Sequence, residues 1–347
     1  MKDHRAGGTP QPEFPIRLVA LDLDGTLIGH DFRLSERTRE AIREAVRRGV
    51  RVSIATGRMS SSAVVYANQL GLVEPIIAHQ GAVVREMPAP EPRAKAPAGS
   101  RAAVSPAAGP PSDLDAVDRP WRGRVGRLLH HEPLPAAVVL EAIAWCRAND
   151  LDPHVHDLER IVAWRDDPSF GEHAGYLGPD AVTVPDLAAS IRKPMTKVIA
   201  VGVPPRPMEL IGEARRVFAG RADATVSHPR FLEFVAPGVS KGRAVAWLAH
   251  RARIPMGAVL TAGDALNDVE MIVAAGHGAA MATAPIEVRS VARYVTPTVD
   301  EDGVAAIIEA LVLASPAEAA RNARRFEEAA REGRAAAGIP EPQRATR

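Results

Sequence analysis

Short apolar runs alternate with amphipathic stretches along the first quarter of the chain. Residues 16–21 are apolar, and Ser35 then caps a helical pattern that runs to Arg48 and stops at Gly49. A second apolar run covers 50–55, a second helical stretch covers 60–70 and ends at Gly71, and a third apolar run begins at 75–78. Strand, helix, strand, helix, strand in this order predicts a parallel sheet wound with helices, an α/β architecture. The pattern breaks at 87–120, which is dense in Pro, Ala, Gly and Ser and has almost no large apolar residues. Such a stretch buries too little surface to offset its ordering entropy, so it reads as a mobile insertion. Strand-like sequence at 81–85 and 123–129 flanks it and predicts a hairpin with the insertion at its tip.

Beyond the insertion the rhythm changes. Helical patterns at 134–149 and 206–218 mix with strand patterns at 154–156, 160–164, 196–201 and 231–235, which predicts a smaller α+β domain inserted into the sheet domain. After Pro237 the alternation resumes, with a helix opening at Ser240, a strand at 258–262, and helices at 268–275 and 303–313. The expected organisation is therefore 16–131 and 237–313 as two parts of the sheet domain and 132–236 as the inserted domain. The tail, 314–347, is rich in Ala, Arg and Glu and reads as a partly formed helix that frays.

Composition narrows the picture. At 347 residues and 46% hydrophobic content the chain has material for two packed cores and is not disordered as a whole. Forty-three basic against 42 acidic residues give a net charge of +1, which supplies no broad field for nucleic acid or an anionic bilayer. A single cysteine, Cys146, excludes an intramolecular disulfide framework and a cysteine-rich zinc site. No apolar run approaches the roughly 18 residues of a membrane span, and 1–15 lack a signal peptide's apolar stretch. A cytoplasmic protein is expected. Only Lys2, Lys95, Lys193, Lys197 and Lys241 are lysines among the 43 basic residues, so a lysine inside a motif asks for a reason.

The candidate chemistry gathers at strand ends of the sheet domain. The first strand runs into Asp22-Leu23-Asp24-Gly25-Thr26, two carboxylates at the carboxyl edge of a parallel strand, where open α/β sheets bind ligands. A calcium loop also begins Asp-x-Asp, but its twelfth position, Arg33, is not Glu, and the segment before it is strand-like. Thr56-Gly57-Arg58 follows the second strand and opens a helix, offering a hydroxyl and backbone N–H groups to a phosphate oxygen. Ser240-Lys241-Gly242 opens another helix, and Lys241 at that end of the macrodipole calls for a local anion. Gly263-Asp264-Ala265-Leu266-Asn267-Asp268 again clusters acids and an amide at a strand-to-helix turn, hard oxygen ligands that suit Mg²⁺.

The ordered set DLDGT, ATGR, SKG and GDALND resembles the haloacid dehalogenase superfamily, specifically the Cof-type phosphatases with a class IIB cap. The resemblance spans about 16–313 and leaves out the insertion and both tails. It implies a Rossmann-like parallel sheet core with helices on both faces and an inserted α+β cap, 132–236, with substrate in a cleft between them. It implies Asp22 as nucleophile, forming an aspartyl-phosphate, and Asp24 as general acid and base whose main-chain carbonyl also ligates the metal. Asp22 and Asp264 would supply carboxylates to Mg²⁺, Asp268 would support them, and Thr56, Gly57, Lys241 and Asn267 would bind the phosphoryl group, with Arg58 near the substrate. This chain departs from the family's usual Asn-Gly-Ala and Met-Gly-Asn-Ala with Gln80-Gly81-Ala82 and Met281-Ala282-Thr283-Ala284, which bears on specificity.

The expectation is a Mg²⁺-dependent phosphatase acting on a small phosphorylated metabolite such as a sugar phosphate, with neither a nucleic acid nor a membrane as partner. A sugar phosphomutase is the alternative within the class, and a non-catalytic phosphometabolite-binding protein the alternative outside it. His154 and His156 share a strand face without a third ligand and read as cap surface, while His130 and His131 read as solvated. Trp121, Trp145, Trp164 and Trp247 read as packing residues.

Overall fold

The computed structural model describes residues 15–88, 125–167, 169–170 and 181–339. Most of the insertion expected at 87–120, together with Trp121 and the last residues of the tail, lies outside the described residues. In chain order the strands are β1 (Leu18–Leu21), β2 (Arg51–Ile54), β3 (Ile76–Ala78), β4 (Val83–Arg85), β5 (Leu128–His131), β6 (Asp152–Asp157) and β7 (Arg160–Trp164). They continue as β8 (Ala181–Val184), β9 (Lys197–Val201), β10 (Asp223–His228), β11 (Phe231–Val235), β12 (Val259–Gly263), β13 (His277–Met281) and β14 (Tyr294–Thr296). The α-helices are α1 (Glu36–Arg47), α2 (Ser60–Leu70), α3 (Ala136–Ala148), α4 (Leu187–Ser190), α5 (Arg206–Val217) and α6 (Lys241–Arg251). Then come α7 (Val269–Ala274), α8 (Ile286–Val291), α9 (Gly303–Ile308) and α10 (Pro316–Ala336).

Two compact units result, one of 1–53 with 245–347 and the other of 54–244. The first is built on a five-stranded sheet ordered β14-β13-β12-β1-β2, in which the β1–β12, β12–β13 and β13–β14 pairs are parallel. Buried on both faces, β1 is continuously apolar, as a central parallel strand must be. Helix α1 starts where the Ser35 side chain accepts from Thr38 N–H and ends before Gly49, whose φ of +83° a residue with a Cβ adopts only at a cost. The pattern missed β13. Its sequence, HGAAM, has no run of large apolar residues, and Gly278 lies so close to the Ile272 carbonyl of α7 that a Cβ has no room.

The helix expected in the tail is present, and the end of the tail, 340–347, lies outside the described residues. Helix α10 runs 21 residues without interruption and buries Ala319, Ala323, Phe326, Ala330 and Arg334, a stripe at helical spacing. Arg293 pairs with Glu327 at 2.9 Å and Arg334 donates to the Ala292 carbonyl at 3.2 Å, tying the helix to the α8–β14 connection. The docked face was not expected, because most of that stripe is alanine, which carries little hydrophobic signal.

The second unit contains a six-stranded mixed sheet ordered β10-β11-β9-β6-β7-β8, antiparallel except for the β7–β8 pair, and a three-stranded antiparallel sheet ordered β3-β4-β5. The β4–β5 pair is the hairpin expected around the insertion, with Val83 opposite His131. Helix α3 packs on the larger sheet, where Trp145 meets Phe218 and Phe234 edge-on. His154 and His156 are not surface residues. Both sit on β6, an interior strand of the sheet, and both are buried, His154 bonded to the Asp167 carboxylate at 2.9 Å and His156 edge-on to His79.

One buried histidine of the first unit sets a pH limit on the fold. His277 on β13 stacks on Tyr294 and shares a 3.1 Å hydrogen bond with its hydroxyl. Burial, and then the nearby Arg293 charge, lowers its pKa from 6.5 to about 4. The unfolded chain therefore binds a proton that the folded chain refuses between these values, so stability falls as pH drops from about 6.5 towards 4. Denaturant titrations at pH 7 and pH 5 are expected to show a loss of about 2 kcal/mol from this group, absent in His277→Gln. Equal slopes for the two proteins would refute the assignment.

Candidate active site

In the first unit the site begins with register. Leu21 pairs with Ala262 and Asp22 N–H donates to the Ala262 carbonyl at 3.0 Å, so the chains leaving β1 and β12 emerge side by side at the carboxyl edge of the sheet. Asp22 is buried and Asp24 exposed, so two carboxylates two residues apart meet different surroundings. The chain turns at once after Asp24. Gly25 adopts φ +78°, its N–H donates to the Ile28 carbonyl at 2.8 Å, and Leu27 and Ile28 both close back onto the Leu23 carbonyl.

That turn sets Gly25 against the Asp264 carboxylate, where a Cβ at residue 25 would lie 2.3 Å from Oδ2. Thr26 Oγ1, itself buried, donates to Asp264 Oδ1 at 3.1 Å. Asp268 Oδ2 accepts the N–H groups of Asp264 and Ala265 at 3.0 Å each, so this carboxylate holds the turn that carries Asp264. Asn267 is half-buried in the 3₁₀ turn Leu266–Asp268. Asp22, Asp264 and Asp268 each offer a carboxylate oxygen, and those atoms lie within 4.8 Å of one another. Three hard oxygens at this spacing fit a divalent cation, which takes carboxylates together with retained water or phosphate oxygens.

In the second unit the motifs meet around one strained turn. His79, Gln80 and Gly81 have φ of +51°, +61° and +100° in succession. The non-glycine residues there cost about 1–3 kcal/mol each, so the surroundings must fix them. They are fixed: His79 N–H donates to the Arg58 carbonyl at 2.9 Å and Gln80 N–H to the Thr56 carbonyl at 3.1 Å. A Cβ on Gly81 would fall 2.2 Å from the Ser240 carbonyl oxygen, which is how closely the same turn packs on the start of α6. Thr56 is buried, and its Oγ1 accepts the Arg58 N–H at 3.1 Å, which leaves its own proton to be donated elsewhere. Gly57 is half-buried. Lys241, the first residue of α6, is buried, and Ser240 Oγ accepts the Arg243 N–H at 3.2 Å as an N-cap. The Arg58 guanidinium lies along α2, donating to Ser62 Oγ at 3.3 Å and sitting over the Tyr66 ring.

The expected carboxylates thus come together in one unit, and Thr56, Gly57, Arg58 and Lys241 in the other. Three side chains bonded to these groups were not assigned from sequence: Thr26 to Asp264, Lys197 to the Gly57 carbonyl, and Glu233 to Lys197. Thr26 stood inside a quoted motif without a role, and Lys197 and Glu233 are charged residues inside apolar strands, a visible signal whose meaning needed the sheet register. Cys146 is buried and burial pushes its thiol pKa up, so it is no competing nucleophile. Among the described residues no helix is long and apolar enough to cross a membrane.

A parallel α/β sheet with acids clustered at its strand ends, and a mixed α+β sheet carried by the same chain, define an α/β protein of two units with a candidate metal site. The chain belongs to the haloacid dehalogenase-like hydrolase family, whose model matches residues 19–98 and 124–308. It is 28% identical over 304 residues to the 5-amino-6-(5-phospho-D-ribitylamino)uracil phosphatase YitU of Bacillus subtilis, covering 84% of this chain and 96% of the relative. It resembles the crystal structure of a haloacid dehalogenase-like hydrolase from Bacteroides thetaiotaomicron with a TM-score of 0.64 at 27% identity, covering 85% of this chain and 98% of the other. Its fold is also that of the subclass IIB sugar phosphatase BT4131, with a TM-score of 0.63 at 18% identity over 83% of this chain and 96% of the other.

Proposed function

We propose that the chain is a Mg²⁺-dependent phosphatase that hydrolyses a small phosphate monoester, a sugar phosphate or similar metabolite, through an aspartyl-phosphate on Asp22. The observation that carries the reading is the convergence of the Asp22, Asp264 and Asp268 carboxylates within 4.8 Å at the ends of adjacent parallel strands. Asp22 attacks phosphorus, and the ester oxygen leaves with a proton from Asp24. Asp24 then takes a proton from the water that hydrolyses the acyl phosphate and is ready for the next cycle. Its exposure suits that exchange, and the burial of Asp22 suits a nucleophile held in one orientation. Asp22, Asp264 and the Asp24 carbonyl would hold the cation, with Asp268 fixing the turn beneath Asp264. When bound, Mg²⁺ supplies positive charge against the dianionic phosphate.

In this reading Thr56 donates its hydroxyl proton, Gly57 its N–H and Lys241 its ammonium to the phosphate oxygens, with Asn267 as a further phosphate-binding residue. Neutralising those oxygens is a precondition for approach by a carboxylate, since two like charges at contact distance repel strongly where water is excluded. The related ribitylaminouracil phosphatase acts, by its name, on a phosphate carried by a sugar-alcohol chain, which supports a polyhydroxylated substrate. Residues 132–236 are the proposed cap that would select it.

The test is free-phosphate release from a panel of sugar, sugar-alcohol, nucleotide and cofactor phosphates, with Mg²⁺ or with EDTA. Release with Mg²⁺ and none with EDTA is expected. Release that EDTA leaves intact would contradict the metal requirement, and no release from any compound by folded protein would contradict the phosphatase.

A further inference from the structure

Lys197 and Glu233 have no place in the phosphatase scheme, yet both are almost fully buried, 1% and 2% exposed. Lys197 is also one of only five lysines. Glu233 on β11 pairs with Ile199 on β9, which puts Lys197, two residues along, on the same face of the sheet. Their side chains meet at 2.5 Å between Nζ and Oε2. A buried ion pair contributes little net stability by itself, because desolvating both charges offsets their attraction.

Its further bonds give it a direction. Lys197 Nζ also donates to the Gly57 carbonyl at 2.9 Å. Glu233 Oε1 accepts from Gln80 Nε2 at 2.9 Å and from the Ser227 hydroxyl. The Gln80 amide packs against Gly57, where a Cβ would come within 2.4 Å of Nε2. With the bonds from Gln80 N–H and His79 N–H, all three carbonyls of the Thr56-Gly57-Arg58 turn are held: Thr56 by Gln80, Gly57 by Lys197 and Arg58 by His79. Because a trans peptide points its N–H opposite its C=O, pinning the Thr56 carbonyl fixes the direction of the Gly57 N–H. Pinning the Gly57 carbonyl fixes the Arg58 N–H, which in turn holds Thr56 Oγ1.

We propose that Lys197, held by Glu233, is a positioning residue that sets the Thr56 hydroxyl for the phosphoryl group, while Gln80, bonded to the same Glu233, sets the Gly57 amide. The proposal rests on the phosphatase reading, in which those two groups grip phosphate. It also gives the Gln80 departure a physical meaning: Gln80 reaches Glu233 and completes the clamp. Lys197 acts through the turn and does not touch substrate.

The test is steady-state hydrolysis of 4-nitrophenyl phosphate with Mg²⁺ by five proteins: wild type, Thr56→Ala, Lys197→Met, the charge-neutral pair Lys197→Met/Glu233→Gln, and that pair combined with Thr56→Ala. Lys197→Met alone strands the Glu233 charge and is expected to lower the melting temperature as well as activity. The neutral pair removes that charge and recovers most of the melting temperature. Its kcat/KM nevertheless stays about 100-fold down, with the loss mainly in kcat, because a misplaced turn no longer meets the charge that develops on the phosphoryl oxygens. Adding Thr56→Ala to the pair costs far less than it does in wild type, as expected for groups acting as one unit. Wild-type kcat/KM in the neutral pair, or full additivity with Thr56→Ala, overturns the proposal while leaving the phosphatase standing. A folded wild type that releases no 4-nitrophenol overturns both.

Discussion

Asp22→Asn is expected to lower phosphate release by about 10⁴-fold or more, the scale on which removing a covalent nucleophile acts. The change is nearly isosteric, and the residue is buried at the end of a strand whose backbone already bonds to β12, so the variant is expected to fold. A carboxamide oxygen is a poor nucleophile, and one negative charge is lost from the Asp22, Asp264 and Asp268 group. The two effects separate on titration with Mg²⁺. Weakened metal binding alone would be rescued by saturating metal, whereas loss of the nucleophile leaves turnover at its floor at every concentration. Near-normal turnover at saturating Mg²⁺ would remove Asp22 from the chemistry.

Gly25→Ala is expected to cost about 100-fold in kcat/KM and to raise the Mg²⁺ requirement at least tenfold, although the residue carries no functional group. Its new Cβ would lie 2.3, 2.6 and 2.9 Å from Oδ2, Cγ and Oδ1 of Asp264, so the carboxylate has to move. Moving it breaks the 3.1 Å bond from Thr26 and disturbs the set of three acids. The left-handed backbone also becomes strained, at about 1–2 kcal/mol. Gly49→Ala separates these effects, because Gly49 has φ +83° and a Cβ there would meet nothing within 4 Å. It is expected to lose similar stability and keep full activity. Activity assays beside thermal melts of both variants decide the matter, and equal losses of activity would show that strain alone was responsible.

Much of the fold was legible because its central strands are plain. Strands β1, β2 and β12 are apolar runs followed by motif residues, so both the sheet and the position of the acids at its edge followed from sequence. Strand β13 was not legible, since a strand of His, Gly, Ala and Met reads as a loop until the backbone of α7 is seen against it. Helix α10 was expected but its packed face was not, for a related reason, the buried stripe being mostly alanine. Sheet neighbours governed the histidines: His154 and His156 look alike on any strand, and only the interior place of β6 buries them.

The same distinction runs through the site. Carboxylates two residues apart, or beside a glycine at a strand end, announce themselves. Lys197 and Glu233 lie 36 residues apart and act on a turn 140 residues from the lysine, so their partnership depends on a register that the local pattern does not encode. Thr26 stands between these cases, visible in its motif but informative only once its hydroxyl is seen to reach Asp264.

The central claim is a covalent route through Asp22, and the stereochemical course at phosphorus tests it most directly. A chiral thiophosphate ester hydrolysed in isotopically labelled water undergoes two in-line displacements if an aspartyl-phosphate forms, and the inorganic product then keeps its configuration. Retention is the result expected. Inversion would mean a single displacement by water, and would contradict Asp22 as nucleophile however strongly its replacement slowed the enzyme.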